Sequence, residues 1–195
     1  IYKIIKVKLG RSDESDRAMI EAIRSVTDTP ITVDANQGWR NRDGALRMIE
    51  WLAGRGVVFI EQPMPKEQLP DTAWLRARSP LPLIADENCQ RLGDVAQLAG
   101  AFHGINIKLA KSGGIREAVK MAAAARALDL GVMLGCMVES GLGIAAGAHI
   151  ASLCDHVDLD GNLLLSSDPW PGVSWENGIQ VPANAPGLGV ARIGA

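Results

Sequence analysis

Cysteine, histidine and aromatic residues are scarce in this 195-residue chain, which has three Cys, three His, two Phe, one Tyr and five Trp. Cys89, Cys136 and Cys154 are an odd number without metal-ligand spacing. That argues against a disulfide framework or a zinc site and suits reduced, mostly buried thiols in a cytoplasmic protein. His103, His149 and His156 are equally scattered and read as structural. With so few rings, the core falls to Leu, Ile, Val, Ala and Met. An excess of one charge is missing too: 20 Lys and Arg stand against 22 Asp and Glu, for a formal charge of -2. No basic surface for nucleic acid and no charged tail is expected. The longest apolar stretch, "AVKMAAAARALDLGVMLGCMV", is broken by charges and glycine, so no membrane span is expected. No leader pattern opens the sequence, so secretion is not indicated. No G-x-G-x-x-G follows the first strand, which weighs against a dinucleotide site.

What is present is a repeat. Short apolar, β-branched runs recur: "IIKVKL", "ITVDA", "VVFIEQ", "PLIADE", "GINIKLA", "GVMLGC" and "HVDLDG". Segments of helical period lie between them. "SDESDRAMIEAIRSV" places Met19, Ile20, Ile23 and Val26 on one face behind a Ser or Asp cap. "RDGALRMIEWLAGRG" ends on glycines suited to a C-cap. "GGIREAVKMAAAARALDLG" is the longest helix expected, followed by "ESGLGIAAGAHIASLC"; "DTAWLRARS" and "RLGDVAQLAG" are shorter ones. Strands alternating with helices imply parallel pairing through right-handed crossovers. An open doubly wound sheet and a closed (β/α) barrel both fit, and the ionisable residues at the strand ends favour the barrel. Lys8, Asp34, Glu61, Asp86, Lys108, Asp158 and Asp160 would converge on one mouth of a barrel and be spread along an open sheet. A complete barrel has eight strands and seven are counted here. The first β/α unit is therefore expected to be missing, leaving one partial barrel domain over residues 1–195 with a tail at 176–195.

The strand ends carry the chemistry. "TVDAN", "FIEQP" and "IADEN" place Asp34, Glu61 and Asp86 one β/α unit apart, at spacings of 27 and 25 residues. Three carboxylates at one point repel one another unless a cation joins them. With oxygen ligands only, a hard ion is expected, one Mg²⁺ before Mn²⁺ or Ca²⁺. Lys6 and Lys8 stand on one strand face, away from Ile5, Val7 and Leu9. Asn106 and Lys108 share another face, and Lys111 is a weaker candidate in the loop beyond. A metal between two lysines suits proton transfer beside a carboxylate, through an enediolate. Lys6 stands roughly 7 Å from Lys8 along the strand. At an effective dielectric of about 20 their repulsion is worth about 2.4 kcal/mol, which lowers the pKa of a Lys8 base by roughly two units.

These motifs, K-x-K, "DAN", "EQP", "ADE" and "NIKLAKSGG" in this order, resemble the enolase superfamily, specifically its muconate-lactonizing subgroup. The resemblance implies a (β/α)7β TIM-type barrel, metal ligation by Asp34, Glu61 and Asp86, and acid/base roles for Lys8 and Lys108, with Lys6 as electrostatic neighbour. "HVDLDG" places Asp158 and Asp160 where the resemblance puts the mark of the dipeptide epimerases, a D-x-D that binds a substrate's α-ammonium. In "GCMVES", Cys136, Met137 and Val138 would line the pocket, and Glu139 would support it from behind. The implied reaction is 1,1-proton transfer at the α-carbon of a dipeptide's C-terminal residue, with an Ala-Glu-type substrate favoured. A muconate-type cycloisomerase and an N-acylamino acid racemase are the alternatives within the subgroup, and a non-catalytic metal-binding barrel is the alternative outside enzymes. A homo-oligomer is implied by resemblance alone. No N-terminal capping domain is present in the sequence, so turnover is expected only from a longer protein that includes it.

Overall fold

A strand is made wherever the sequence has a short β-branched run, and a helix wherever polar and apolar residues recur at helical period. The computed structural model describes residues 2–193; Ile1, Gly194 and Ala195, at the ends of the expected domain, lie outside the described residues. Seven strands form one sheet in chain order: β1 (Ile5–Lys8), β2 (Ile31–Asp34), β3 (Val57–Glu61), β4 (Leu83–Ala85), β5 (Gly104–Lys108), β6 (Gly131–Gly135) and β7 (His156–Val157). The pairs β1–β2, β2–β3, β3–β4 and β6–β7 are parallel. Helices α1 (Asp13–Arg24), α2 (Arg42–Ala53), α3 (Leu69–Arg76), α4 (Leu92–Leu98), α5 (Leu109–Ser112), α6 (Ile115–Ala127) and α7 (Gly141–Ala148) alternate with the strands. Every strand expected from the sequence is present. Strands β2 and β5 are buried along their whole length, as strands covered on both faces are.

The chain packs as two compact units. One comprises Lys3–Asn88 with Gln97–Gly104; the other comprises Tyr2, Cys89–Ala96 and the described residues from Ile105 onward. In the first, Ser12 caps α1 by accepting from the Ser15 N–H, and Asn41 caps α2 by accepting from that of Gly44. The apolar face expected on α1 is buried only at its centre. Ile20 is fully buried, whereas Met19 is 38% and Val26 81% exposed. Val26 lies past the end of α1, and Met19 and Ile23 line an open groove of about 550 Å³ beside Ile5, Val7 and Leu9. Two of the scarce tryptophans serve as platforms for arginines, Trp51 beneath Arg17 and Arg55, and Trp74 beneath Arg42 and Arg78. His103 is structural: its Nδ1 accepts from the Leu83 N–H at 3.0 Å, and burial lowers its pKa.

In the second unit the structure departs from the sequence reading at the C-terminal end. The expected tail begins at 176, within an antiparallel hairpin of β8 (Val173–Glu176) and β9 (Ile179–Pro182), whose first strand lies before it. Its two-residue turn is Asn177-Gly178, both at positive φ (52° and 85°). This is the Asn-Gly signal for a type I′ turn, carried by "SWENGIQV". Lys111, expected in a loop, lies in the single-turn helix α5, which ends on left-handed Gly113 at φ 93°. Among the described residues no helix is long and apolar enough to cross a membrane.

Candidate metal centre and flanking residues

Asp34 ends β2, Glu61 ends β3, and Asp86 follows the last residue of β4. A register shift brings the first two level. Ile31 pairs with Val57, but Val33 pairs with Ile60, so β3 carries one extra residue and Asp34 stands opposite Glu61. Without that bulge Glu61 would align with Ala35, and its side chain would point to the other face. Lys8 stands opposite Asp34 on the other side, so cation and carboxylates share a face.

The three carboxylates converge. Asp34, Glu61 and Asp86 are all buried, and each offers an oxygen within 4.8 Å of the others. Burial, the largest cause, pushes the Glu61 carboxyl above its usual range; Lys6 opposes this, while Asp34 and Asp86 add to it. A buried, all-oxygen donor set that crowds negative charge fits a hard divalent cation, which would join the three carboxylates and relieve their repulsion.

Both lysines of the K-x-K face the carboxylates. Lys6 Nζ lies 2.8 Å from Glu61 Oε2 and 3.8 Å from Asp34 Oδ2. Lys8 Nζ donates to Asp34 Oδ2 at 2.8 Å and to Asn36 Oδ1 at 2.9 Å. Each ammonium therefore faces a carboxylate more closely than the roughly 7 Å that separates neighbours along one strand face. The like-charge cost of K-x-K is offset by attraction, so Lys6 is a counter-charge within the acidic cluster and not only a neighbour that tunes Lys8. The Lys8 side chain remains 65% exposed.

Three polar side chains that the sequence reading passed over hold these ends in place. The Asn36 N–H donates to Asp34 Oδ1 at 2.9 Å, and Asn36 adopts φ 43°, a conformation Asn tolerates. Gln62 is fully buried with φ 37°. Asn88 accepts from Gln62 at 2.6 Å. Asn36 and Gln62 are letters of the "DAN" and "EQP" motifs and Asn88 closes "IADEN", but no sequence pattern assigned any of them a role.

In the second unit Lys108 ends β5 and is buried. Asn106, two residues earlier on the same face, packs over Gly135 of β6, where any Cβ would collide with its amide. Lys111 Nζ donates to the Cys89 carbonyl at 3.1 Å. The D-x-D does not continue a strand. β7 stops at Val157, half-buried Asp158 donates its N–H to Leu134 O at 2.9 Å, and exposed Asp160 begins a 3-10 turn at Gly161–Leu164. Strand alternation therefore does not set the direction of Asp160. Gly161 packs so tightly on Cys136 and Met137 that no side chain fits there. Burial, with Asp158, Asp160 and Glu139 adding to it, pushes the Cys136 thiol up to about 11. Met137 and Val138 are exposed, and the Glu139 carboxylate accepts from the Met137 N–H at 3.0 Å. The hairpin supplies one more contact: Gln180 Nε2 donates to Leu159 O and, at 2.8 Å, to Asn162 Oδ1, tying β9 to the segment that carries both acids.

Comparison with known proteins gives the family and the fold. The Enolase C-terminal domain-like model matches residues 1–192. An L-Ala-D/L-Glu epimerase of Bacteroides thetaiotaomicron is 56% identical over 193 residues, which is 99% of this chain and 50% of that protein. The substrate-liganded L-Ala-D/L-Glu epimerase of Bacillus subtilis superposes with a TM-score of 0.90 at 33% identity, over 96% of this chain and 55% of its own. A dipeptide epimerase of Cytophaga hutchinsonii, complexed with Mg and the dipeptide D-Ala-L-Val, gives 0.88 at 29% identity, over 98% and 54%. The chain spans about half the length of the curated relatives it matches. The expected barrel-type α/β fold is borne out by these superpositions. With nearly every residue inside one family model and an acid at the end of each of three successive strands, the chain belongs to the Enolase C-terminal domain-like family.

Proposed function

We propose that this protein is a Mg²⁺-dependent dipeptide epimerase acting at the α-carbon of the C-terminal residue, with an Ala-Glu-type dipeptide favoured. The observation that carries the reading is the buried Asp34–Glu61–Asp86 cluster with lysines on its flank, in a chain 56% identical to an L-Ala-D/L-Glu epimerase. When bound by the three carboxylates, Mg²⁺ supplies positive charge for the substrate's carboxylate as its α-carbon loses a proton. Inverting that carbon takes two acid/base groups, one to accept the proton and one to return a proton to the other face. Lys8 and Lys108 are assigned those roles. If Lys8 is the base, its Nζ takes the α-proton, the C–H electron pair moves into the carboxylate, and Lys108 Nζ delivers a proton to the carbon. In the reverse direction the lysines exchange roles. Lys6 holds Glu61 against the repulsion of its neighbours.

Asp158 and Asp160 are assigned to the α-ammonium of the dipeptide's first residue. Their combined negative charge, already felt at Cys136, supports that assignment. Cys136, Met137 and Val138 are assigned to the pocket wall beside them. Muconate lacks an ammonium and N-acylated amino acids have it blocked, so neither would use the two acids.

The test is proton exchange in D₂O with Mg²⁺ and a library of dipeptides, followed by NMR at the α-carbon of the C-terminal residue. Deuterium should enter with inversion for the parent protein, and inversion should be lost in Lys8→Ala and Lys108→Ala while both still bind Mg²⁺. The exchange is measured on a protein that carries this chain together with a capping domain, and no exchange with any dipeptide there sinks the reading. Exchange confined to muconate or to N-acylamino acids would replace it with one of those activities.

A further inference from the structure

One buried glutamine joins the segments that follow three strand-end acids, through its main chain and its side-chain amide. Gln62 follows Glu61 directly, is fully buried, and adopts a left-handed backbone (φ 37°) that a residue with a Cβ rarely adopts. Its main chain bridges both neighbours: its N–H donates to Ile84 O of β4 at 2.8 Å, and its carbonyl accepts from the Gln37 N–H, just past Asp34, at 2.9 Å. Its side chain makes four further bonds. Nε2 donates to Met64 O at 3.0 Å and to Asn88 Oδ1 at 2.6 Å. Oε1 accepts from the Asp86 N–H at 2.9 Å and from the Asn88 N–H at 3.2 Å. Asn88 is fixed in turn by donating Nδ2 to Lys66 O at 3.0 Å.

We infer that Gln62 is a positioning residue for the acidic cluster, holding the backbone of Asp86 so that its carboxylate stays in register with those of Asp34 and Glu61. The inference rests on the reading of that cluster as the Mg²⁺ site. Asp86 needs such a tie because β4 stops at Ala85, so the sheet ladder ends before the ligand. An amide does what neither a carboxylate nor a lysine could, since it presents two acceptor lone pairs and two donors from one side chain. It also adds no charge beside three carboxylates. The positive φ fits an observed strain held in place by its surroundings at a functional site.

The experiment measures two quantities on the parent, Gln62→Met, Asn88→Ala and Thr72→Val. These are the Mg²⁺ dissociation constant by calorimetry, and exchange of the Asp86 amide in metal-free protein by NMR. Gln62→Met keeps the volume and removes all four side-chain bonds. It should weaken Mg²⁺ binding about 10- to 100-fold, the usual cost of losing a support behind a metal ligand, and strip the Asp86 amide of protection. Asn88→Ala removes one anchor of Gln62 and should shift both quantities less, in the same direction. It carries the test if Gln62→Met does not fold. Thr72→Val, which removes a buried hydroxyl on α3 bonded to Gln68 O, should lower Tm and leave both quantities unchanged. A folded Gln62→Met with parental Mg²⁺ affinity, or with Asp86 still protected, overturns the inference. If the parent binds no Mg²⁺, the metal reading fails, and the positioning role is then decided by amide exchange alone.

Discussion

Individual side chains show why charge pattern and charge environment have to be separated. K-x-K on a strand reads as repulsion, and in the folded chain both ammonium groups are drawn to carboxylates that arrive from residues 26 and 55 positions away. The acids were legible because the same residue type recurs at three consecutive strand ends. The roles of Asn36, Gln62 and Asn88 were not legible even where a motif includes the residue, because a polar amide past a strand is the ordinary composition of a loop. The thiols give a prediction at this scale. Burial raises Cys136 and Cys154 to about 11, so at pH 8 only about a thousandth of either is thiolate. The thiolate is the reactive form, so labelling should rise as pH rises toward 11. Iodoacetamide followed by mass spectrometry should show slow modification of both in the folded protein at pH 8 and fast modification after denaturation. Rapid labelling of folded Cys136 at neutral pH would contradict the burial described here.

Elements were legible in kind and less so in extent. All seven parallel strands and the six helices expected from periodicity are present, because buried β-branched runs and capped amphipathic stretches are local signals. The bulge in β3 left no trace in the pattern, although it decides which face Glu61 occupies. The short β7 likewise ends before the D-x-D it was expected to carry. The hairpin was legible from Asn177-Gly178, and its contribution was not: Gln180 on β9 holds Leu159 and Asn162, on either side of Asp160. Gln180→Ala removes two hydrogen bonds worth about 1 kcal/mol each. For the proposed reaction it should raise the dipeptide KM on the order of tenfold with kcat nearly unchanged, measured by steady-state kinetics. Equal loss in kcat would place Gln180 in the chemical step instead.

At the scale of the molecule, the acidic cluster links stability to metal. Three buried carboxylates are costly without a cation, and a ligand that binds only the folded state stabilises it in proportion to RT ln(1 + [L]/Kd). Treatment with EDTA should abolish proton exchange and lower Tm, and added Mg²⁺ should restore both. At a hundred times its Kd the ion should contribute about 2.7 kcal/mol. Asp86→Asn should show no Mg²⁺-dependent rise in Tm by differential scanning calorimetry. A full rise in that variant would remove Asp86 from the ligand set. Lower pH should weaken the Mg²⁺ effect, because protons compete for the same carboxylates.

The sequence by itself determined the alternation of strand and helix, the family motifs, and the residue type at each strand end, because these depend on local period and spacing. Tertiary structure alone decided that Lys6 enters the acidic cluster, that a bulge turns Glu61 toward Asp34, and that Gln62 ties Asp86 to the sheet. Those outcomes depend on register and on contacts between residues 24 to 55 positions apart, and a one-dimensional pattern does not encode register.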